Sequence, residues 1–335
     1  MPGKLARASL ALALILLIGA ALARPARATL GRPLADQGPT EVRVMMIVLD
    51  IDEIDAVAQS FIANVYYEAR WHDPRLAHPG PQERVVPLNE IWHPRLQYLN
   101  QQRTIQTLPA IADIQPDGEV IVRQRVWGPF SQALEVEDFP FDQHRFSVVL
   151  IAAGFEADEV LLVVDPQHAS AISRELSVPD WAISELSAGP VEHRFYEGAP
   201  PIPAFSAAFE AKRHSSYFLL KVIAPLVFIL AMSWTVFWLD PSLAGTQIGV
   251  ATTSMLTLIA YRFTIDGYIP KVAYLTRLDS FILSSTILVF VALVLAVLTS
   301  YLAANDERSR AMRIERHCRW ILPALSAATF LFSFV

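Results

Sequence analysis

The sequence predicts an all-β sandwich followed by an all-α membrane domain of four helices. Three observations carry that expectation. Turn formers interrupt the first two-thirds of the chain every roughly eight to twelve residues. Four apolar runs, each with about the ~20 residues a spanning helix needs, close the chain. The formal charge also changes sign between the two halves.

The first 23 residues read as a secretory signal: Lys4 and Arg7, then the apolar run "LALALILLIGA", then small residues at Ala21 and Ala23. A second cleavage point fits after Ala28, and an uncleaved anchor is the alternative. Residues 29–215 then read as one exported domain. Its turn signals are "HDPR", "AHPGPQ", "WHPR", "QPDG", "EDFPFD", "PDW" and "GAPPIP". Between them lie short alternating runs, among them "FIANVYYEARW", "GEVIVRQRVW", "HRFSVVLIA" and "AFSAAFEAKR". Short strands at regular spacing, without an intervening helical period, make an immunoglobulin-like sandwich. Helix is expected only near "GPQE".

From Thr29 to Ser216 there are 27 Asp and Glu against 14 Lys and Arg, a formal charge of −13. Such a field attracts cations and repels nucleic acid, which excludes a nucleic-acid partner. From Tyr217 onward 9 basic residues face 6 acidic ones, and the basic ones cluster in "ERSRAMRIERHCR". Between two spans, that cluster marks a cytoplasmic loop. The one cysteine, Cys318, lies in it, so no disulfide staples the exported domain and its core must suffice.

The spans are expected over about 217–239, 243–265, 279–303 and 318–335. The second is unusual because Thr246–Gly267 holds five threonines, a serine, a glutamine and an arginine. Polar groups in a span turn away from lipid, toward other helices or water. Two stripes fit. One is Thr246, Thr253, Thr257 and Thr264; the other is Gly249, Thr253, Leu256, Ala260 and Phe263. Polar groups inside and bulky apolar ones outside suit a water path with a hydrophobic constriction. The alternative is that the threonines back-bond to carbonyls or pack helix on helix. One helix encloses no pore, so a water path requires an oligomer.

Several motifs occur together. They are "DFPFDQ" (Asp138–Gln143), "RWHDPRL" (Arg70–Leu76), "IWHPRLQYLN" (Ile91–Asn100), "SWTVFW" (Ser233–Trp238), "TSMLTLIAYRF" and "YIPKVAYLT". Taken in their order along the chain, from about Val42 onward, these motifs resemble the pentameric ligand-gated ion channels, the Cys-loop receptor superfamily. The two cysteines flanking the Pro-loop of animal members fall at Gln132 and Phe146, so the resemblance is to the prokaryotic branch. It implies a homopentamer, that is, four further copies of this chain, opened by a small molecule or a proton and passing monovalent cations through a bilayer. The implied location is the cell membrane, with the ectodomain in the bacterial periplasm. No enzyme activity and no cofactor are implied, and the eight histidines show no metal or triad spacing.

The resemblance also assigns residues. It selects Gly249, Thr253, Leu256, Ala260 and Phe263 as pore-lining, with Asp240 and Asp266 charging the mouths. Arg262 must then turn away from the narrowest part of the path. Asp142 and Arg213 are implied as a buried pair coupling the two domains, with Pro140 in the Pro-loop, Asp55 as a third member, and Pro270 and Lys271 pressing from the loop after the second span. Tyr66, Glu68, Tyr98, Phe155, Phe195 and Tyr196 are the ligand-site candidates, aromatic enough for a cation–π cage. A different class remains open: an exported sensor domain on a membrane anchor that conducts nothing.

Overall fold

The computed structural model describes residues 31–269 and 272–334. The expected signal segment, both cleavage points, Pro270 and Lys271 lie outside the described residues.

Thirteen strands form two sheets among the described residues. The first sheet is built on β1 (Thr40–Asp55), β2 (Ser60–His72) and β7 (Glu119–Ser131), which pair antiparallel. β3 (Arg84–Pro87), β5 (Ile105–Gln106) and β6 (Ile111–Ile114) extend it on the β7 side. β9 (Val160–Val164) and β10 (Ala171–Ile172) run parallel to β1 on the other side. The second sheet orders β11 (Trp181–Ile183), β13 (Ile202–Arg213), β8 (Gln143–Ala152) and β4 (Leu96–Tyr98), with β12 (Ser187–His193) also on β13.

Period-two alternation decides which residues meet. Val65, Tyr67 and Ala69 of β2 and Phe146, Val148 and Leu150 of β8 all point into one buried core. Phe61 centres it, stacked on Phe130 at 5.5 Å and edge-on to Phe146 at 5.2 Å. The "QPDG" turn needs its glycine: Gly118 has φ +89°, and a Cβ there would lie 2.7 Å from the Asp73 carbonyl oxygen. The "GPQE" stretch is not helical. It is irregular, with single 3₁₀ turns at Pro74–Leu76 and Leu88–Glu90 on either side, because Pro81 and the nearby Pro79 favour extended backbone.

Four helices follow: α1 (Ser216–Trp238), α2 (Ala244–Ile265), α3 (Arg277–Ala304) and α4 (Arg308–Phe334). α1 opens through one π turn at Leu219–Ile223, just ahead of Pro225, which has no N–H to bond. α1, α2 and α3 are long and apolar enough to cross a membrane. α4 starts ten residues before the expected fourth span, at Arg308 rather than near Cys318. Its first turns hold the basic cluster that the sequence assigns to a loop. Thr276 caps α3 in a capping box: its hydroxyl accepts the Asp279 N–H at 3.1 Å, and the Asp279 carboxylate accepts the Thr276 N–H at 3.1 Å.

Candidate functional site

α2 has two distinct faces. Gln247, Ala251, Ser254, Leu258 and Ile265 are buried against the other helices of the chain. On the far side Gly249, Thr253, Leu256, Ala260 and Phe263 are all exposed, with Leu256 62% and Phe263 79% accessible. At 100° per residue these five fall within about 80° of arc, so they form one unpartnered stripe. The threonines also back-bond: Thr253 donates to the Gly249 carbonyl at 2.8 Å and Thr264 to that of Ala260 at 3.1 Å. Back-bonding and exposure therefore occur together on this helix. Arg262 sits about 100° from Phe263. It lines a cleft of about 390 Å³ with Leu258, Ile259, Phe263, Asp266 and Thr286, toward α3.

Asp266 stands at the C-terminal end of α2, on the same cleft as Arg262. The Asp240 carboxylate pairs with Arg308 of α4 at 2.5 Å and accepts from Ser242 N–H and Oγ. The sequence could not reveal this, because the partner is 68 residues away.

Where the two domains meet, Asp142 and Arg213 form the expected buried pair. Arg213 Nε donates to Oδ1 at 2.8 Å and Nη2 to Oδ2 at 3.0 Å. The guanidinium lies 4.1 Å from the Trp181 ring centroid and 5.0 Å from that of Phe139. His144 Nε2 is 2.7 Å from Asp142 Oδ2. Burial alone would raise the Asp142 carboxyl, but donors from His144 and Arg213, and the Arg213 charge, outweigh it and hold it at about 2.

Asp55 is not a third member of this pair. Its carboxylate caps its own turn, accepting from Val57 N–H at 2.8 Å and Ala58 N–H at 2.9 Å. Pro140 follows a cis peptide bond from Phe139. The contact with the membrane half is made by residues the sequence did not single out. Glu137 and Phe139 carbonyls accept the Arg277 and Leu278 N–H groups at 2.9 and 3.3 Å, so the Pro-loop satisfies two orphan donors at the start of α3. Arg277 Nε pairs with Asp138 at 2.8 Å, and the Val136 N–H donates to the Tyr274 hydroxyl at 2.9 Å.

The ligand candidates separate into groups. Tyr98 is a core residue, buried edge-on against Tyr67 and Phe130, and it offers no face to a ligand. Phe155 is occupied by its own chain: Arg95 lies 5.5 Å over its ring, and Trp92 meets it at 5.7 Å. Phe195 and Tyr196 are exposed on the β12–β13 hairpin. Tyr66 and Glu68 share the outer face of β2, but Glu68 is buried between Arg70 and Arg123, at 2.5 and 2.7 Å. Burial raises its carboxyl, and the hydrogen bonds from these two arginines outweigh that and lower it. Its charge is spent within the chain. Asp165 and His168 bring donor atoms within 4.8 Å of Glu68. Arg70 pairs with both carboxylates, 2.5 Å from Glu68 and 3.5 Å from Asp165.

At the inner end of the bundle is a polar node that the sequence reading missed. Gln247 of α2 donates to Glu315 of α4 at 2.7 Å and accepts from Ser300 of α3 at 3.1 Å, and all three are buried. The one available signal was a lone Glu among the arginines of "RIERHCR", just ahead of the expected fourth span.

Two family models match the chain. The neurotransmitter-gated ion-channel ligand binding domain covers residues 27–194, and the neurotransmitter-gated ion-channel transmembrane region covers residues 222–330. Among curated proteins, the chain is similar to the gamma-aminobutyric acid receptor subunit beta-4 of Gallus gallus. Identity is 22% over 303 residues, which is 85% of this chain and 61% of that relative's length.

Proposed function

This chain belongs to the neurotransmitter-gated ion-channel family, and from that premise we propose that it is one subunit of a homopentameric, ligand- or proton-gated ion channel of the prokaryotic type. The observation that carries the reading is the unpartnered stripe on α2. Five copies of Gly249, Thr253, Leu256, Ala260 and Phe263 around one axis make a path that is polar inside and apolar outside. Leu256 and Phe263 are its gates, closing by dewetting. Gln132 and Phe146, where the animal members carry their cysteines, support the prokaryotic branch. So does the location of Cys318, buried in α4. The chain is then a multi-pass protein of the inner membrane with its ectodomain in the periplasm.

The permeant ions are monovalent cations. Asp266 at the outer mouth and the −13 ectodomain support this, since both concentrate cations ahead of the pore. Asp240 contributes little, its charge being met by Arg308. The agonist binds between subunits, where Phe195 and Tyr196 of one copy meet Tyr66 of the next. Exposed aromatic faces suit an ammonium group. The relative's name makes γ-aminobutyrate a first probe beside simple amines.

The test has two arms. In detergent the particle should have near five times the subunit mass of about 37 kDa. In cells expressing the chain, steps of external pH, amines and γ-aminobutyrate should evoke a current. A monomer that stays silent throughout would sink the channel reading and leave a membrane-anchored sensor.

A further inference from the structure

The Asp142 carboxylate is held by three side-chain donors, and the third belongs to neither the Pro-loop nor the helix it docks on. An ionised carboxylate only accepts, so the His144 ring nitrogen facing it, Nε2, carries the proton. His144 is the first inward-facing residue of β8, in the row that continues with Phe146, Val148 and Leu150. It is the one polar member of that row. Across the ladder its partner is Ala211 of β13, two residues before Arg213, and so small a neighbour leaves room for the ring. The imidazole packs against Phe146 at 6.2 Å and Trp181 at 5.9 Å between centroids. Trp181 is also the ring on which Arg213 lies. One indole thus fixes both donors on either side of the carboxylate.

We infer that His144 is a positioning residue: its Nε2–H locks the plane of the Asp142 carboxylate so that Arg213 grips both oxygens, keeping the Pro-loop registered on the membrane domain. The torsion that turns an aspartate carboxyl is broad and roughly two-fold, so two donors from one guanidinium leave the group free to rock about their common plane. A third donor from a ring that cannot move removes that freedom. The low titration of Asp142 agrees, because burial is overcome by His144 and Arg213 together. The charged groups at the cluster are Asp142 and Arg213; β11 and α1 supply Trp181 and Phe218, which carry no charge. The consequence for gating rests on the channel reading, whereas the positioning itself does not.

The experiment is thermal unfolding of the full chain in detergent between pH 7 and pH 3, for wild type, His144→Phe and His144→Gln. Phenylalanine fills the space without donating. Glutamine places an amide N–H close to where Nε2 stands. His144→Phe should melt about 5 °C lower at pH 7, and it should lose less stability than wild type between pH 4 and pH 3, because Asp142 without that donor titrates closer to its unfolded value. His144→Gln should restore both. A His144→Phe protein with the wild-type acid profile overturns the inference, and so does a glutamine variant as defective as the phenylalanine one. If phenylalanine prevents folding, the glutamine variant decides alone. Melting curves need no conductance, so the expected pattern in a protein that never conducts would count against the channel reading only.

Discussion

Asp142 illustrates how residue-scale chemistry sets pH behaviour. Its carboxyl is lowered from 3.8 to about 2 in the fold. A depressed carboxylate contributes stability that is complete above the unfolded value and is lost as pH falls through the folded one. The junction should therefore hold down to about pH 4 and weaken toward pH 2, by on the order of 2 kcal/mol. Melting curves of wild type and Asp142→Asn between pH 5 and pH 2 check it, since the variant should lack this component. Removing the cation is worse, because it strands a buried charge at a cost of about 3–5 kcal/mol. Arg213→Ala should fail to assemble or to gate, and surface labelling with current recording would show it; normal currents would refute the coupling role. Both partners were implied by the family resemblance of their motifs. His144 and Trp181 were not, because only the β8–β13 register brings residues 142, 144 and 213 to one spot.

At the scale of elements, the faces of α2 decide the outcome. Its hydrophobic run was legible in the sequence, but periodicity left two stripes open, and they share Thr253. Packing covers a third face, through Ala251, Ser254 and Leu258, with the chain's own helices and leaves both stripes exposed, so the choice of the Leu256 face rests on the family resemblance. Leu256→Ala should lower the barrier to wetting, giving a channel that leaks without agonist or opens at lower agonist concentration, as resting current would reveal. The node at Gln247, Glu315 and Ser300 ties α2 to both outer helices. Glu315→Gln keeps an acceptor for Gln247 and should be tolerated. Glu315→Leu leaves the Gln247 amide with only its longer contacts to the Val236 and Leu239 carbonyls, at 3.4 and 3.3 Å, and should lower the melting midpoint of the detergent-solubilised protein. Equal stability of the two variants would show the node to be idle.

For the whole molecule, selectivity belongs to fields summed over many charges. With Asp240 met by Arg308, reversal potentials in a sodium gradient should follow sodium, and Asp266→Asn should reduce the cation current without abolishing it. A reversal potential that tracks chloride would reject the cation reading. The sequence by itself determined the two-part architecture, because alternation of period two and runs of bilayer length are local signals that burial in a sheet or a membrane imposes on every stretch. Through the resemblance of its motifs to a known family it also implied the Pro-loop carboxylate and the arginine ahead of α1. Only the tertiary structure decided which charges are spent. Asp55 is turned into its own loop, Asp240 to Arg308, Glu68 between Arg70 and Arg123, and Tyr98 into the core. The physical reason is that a charge or a ring is neutralised or covered by whatever the fold brings within a few ångströms. Such partners lie anywhere from two residues away to more than fifty, a distance that no local pattern encodes.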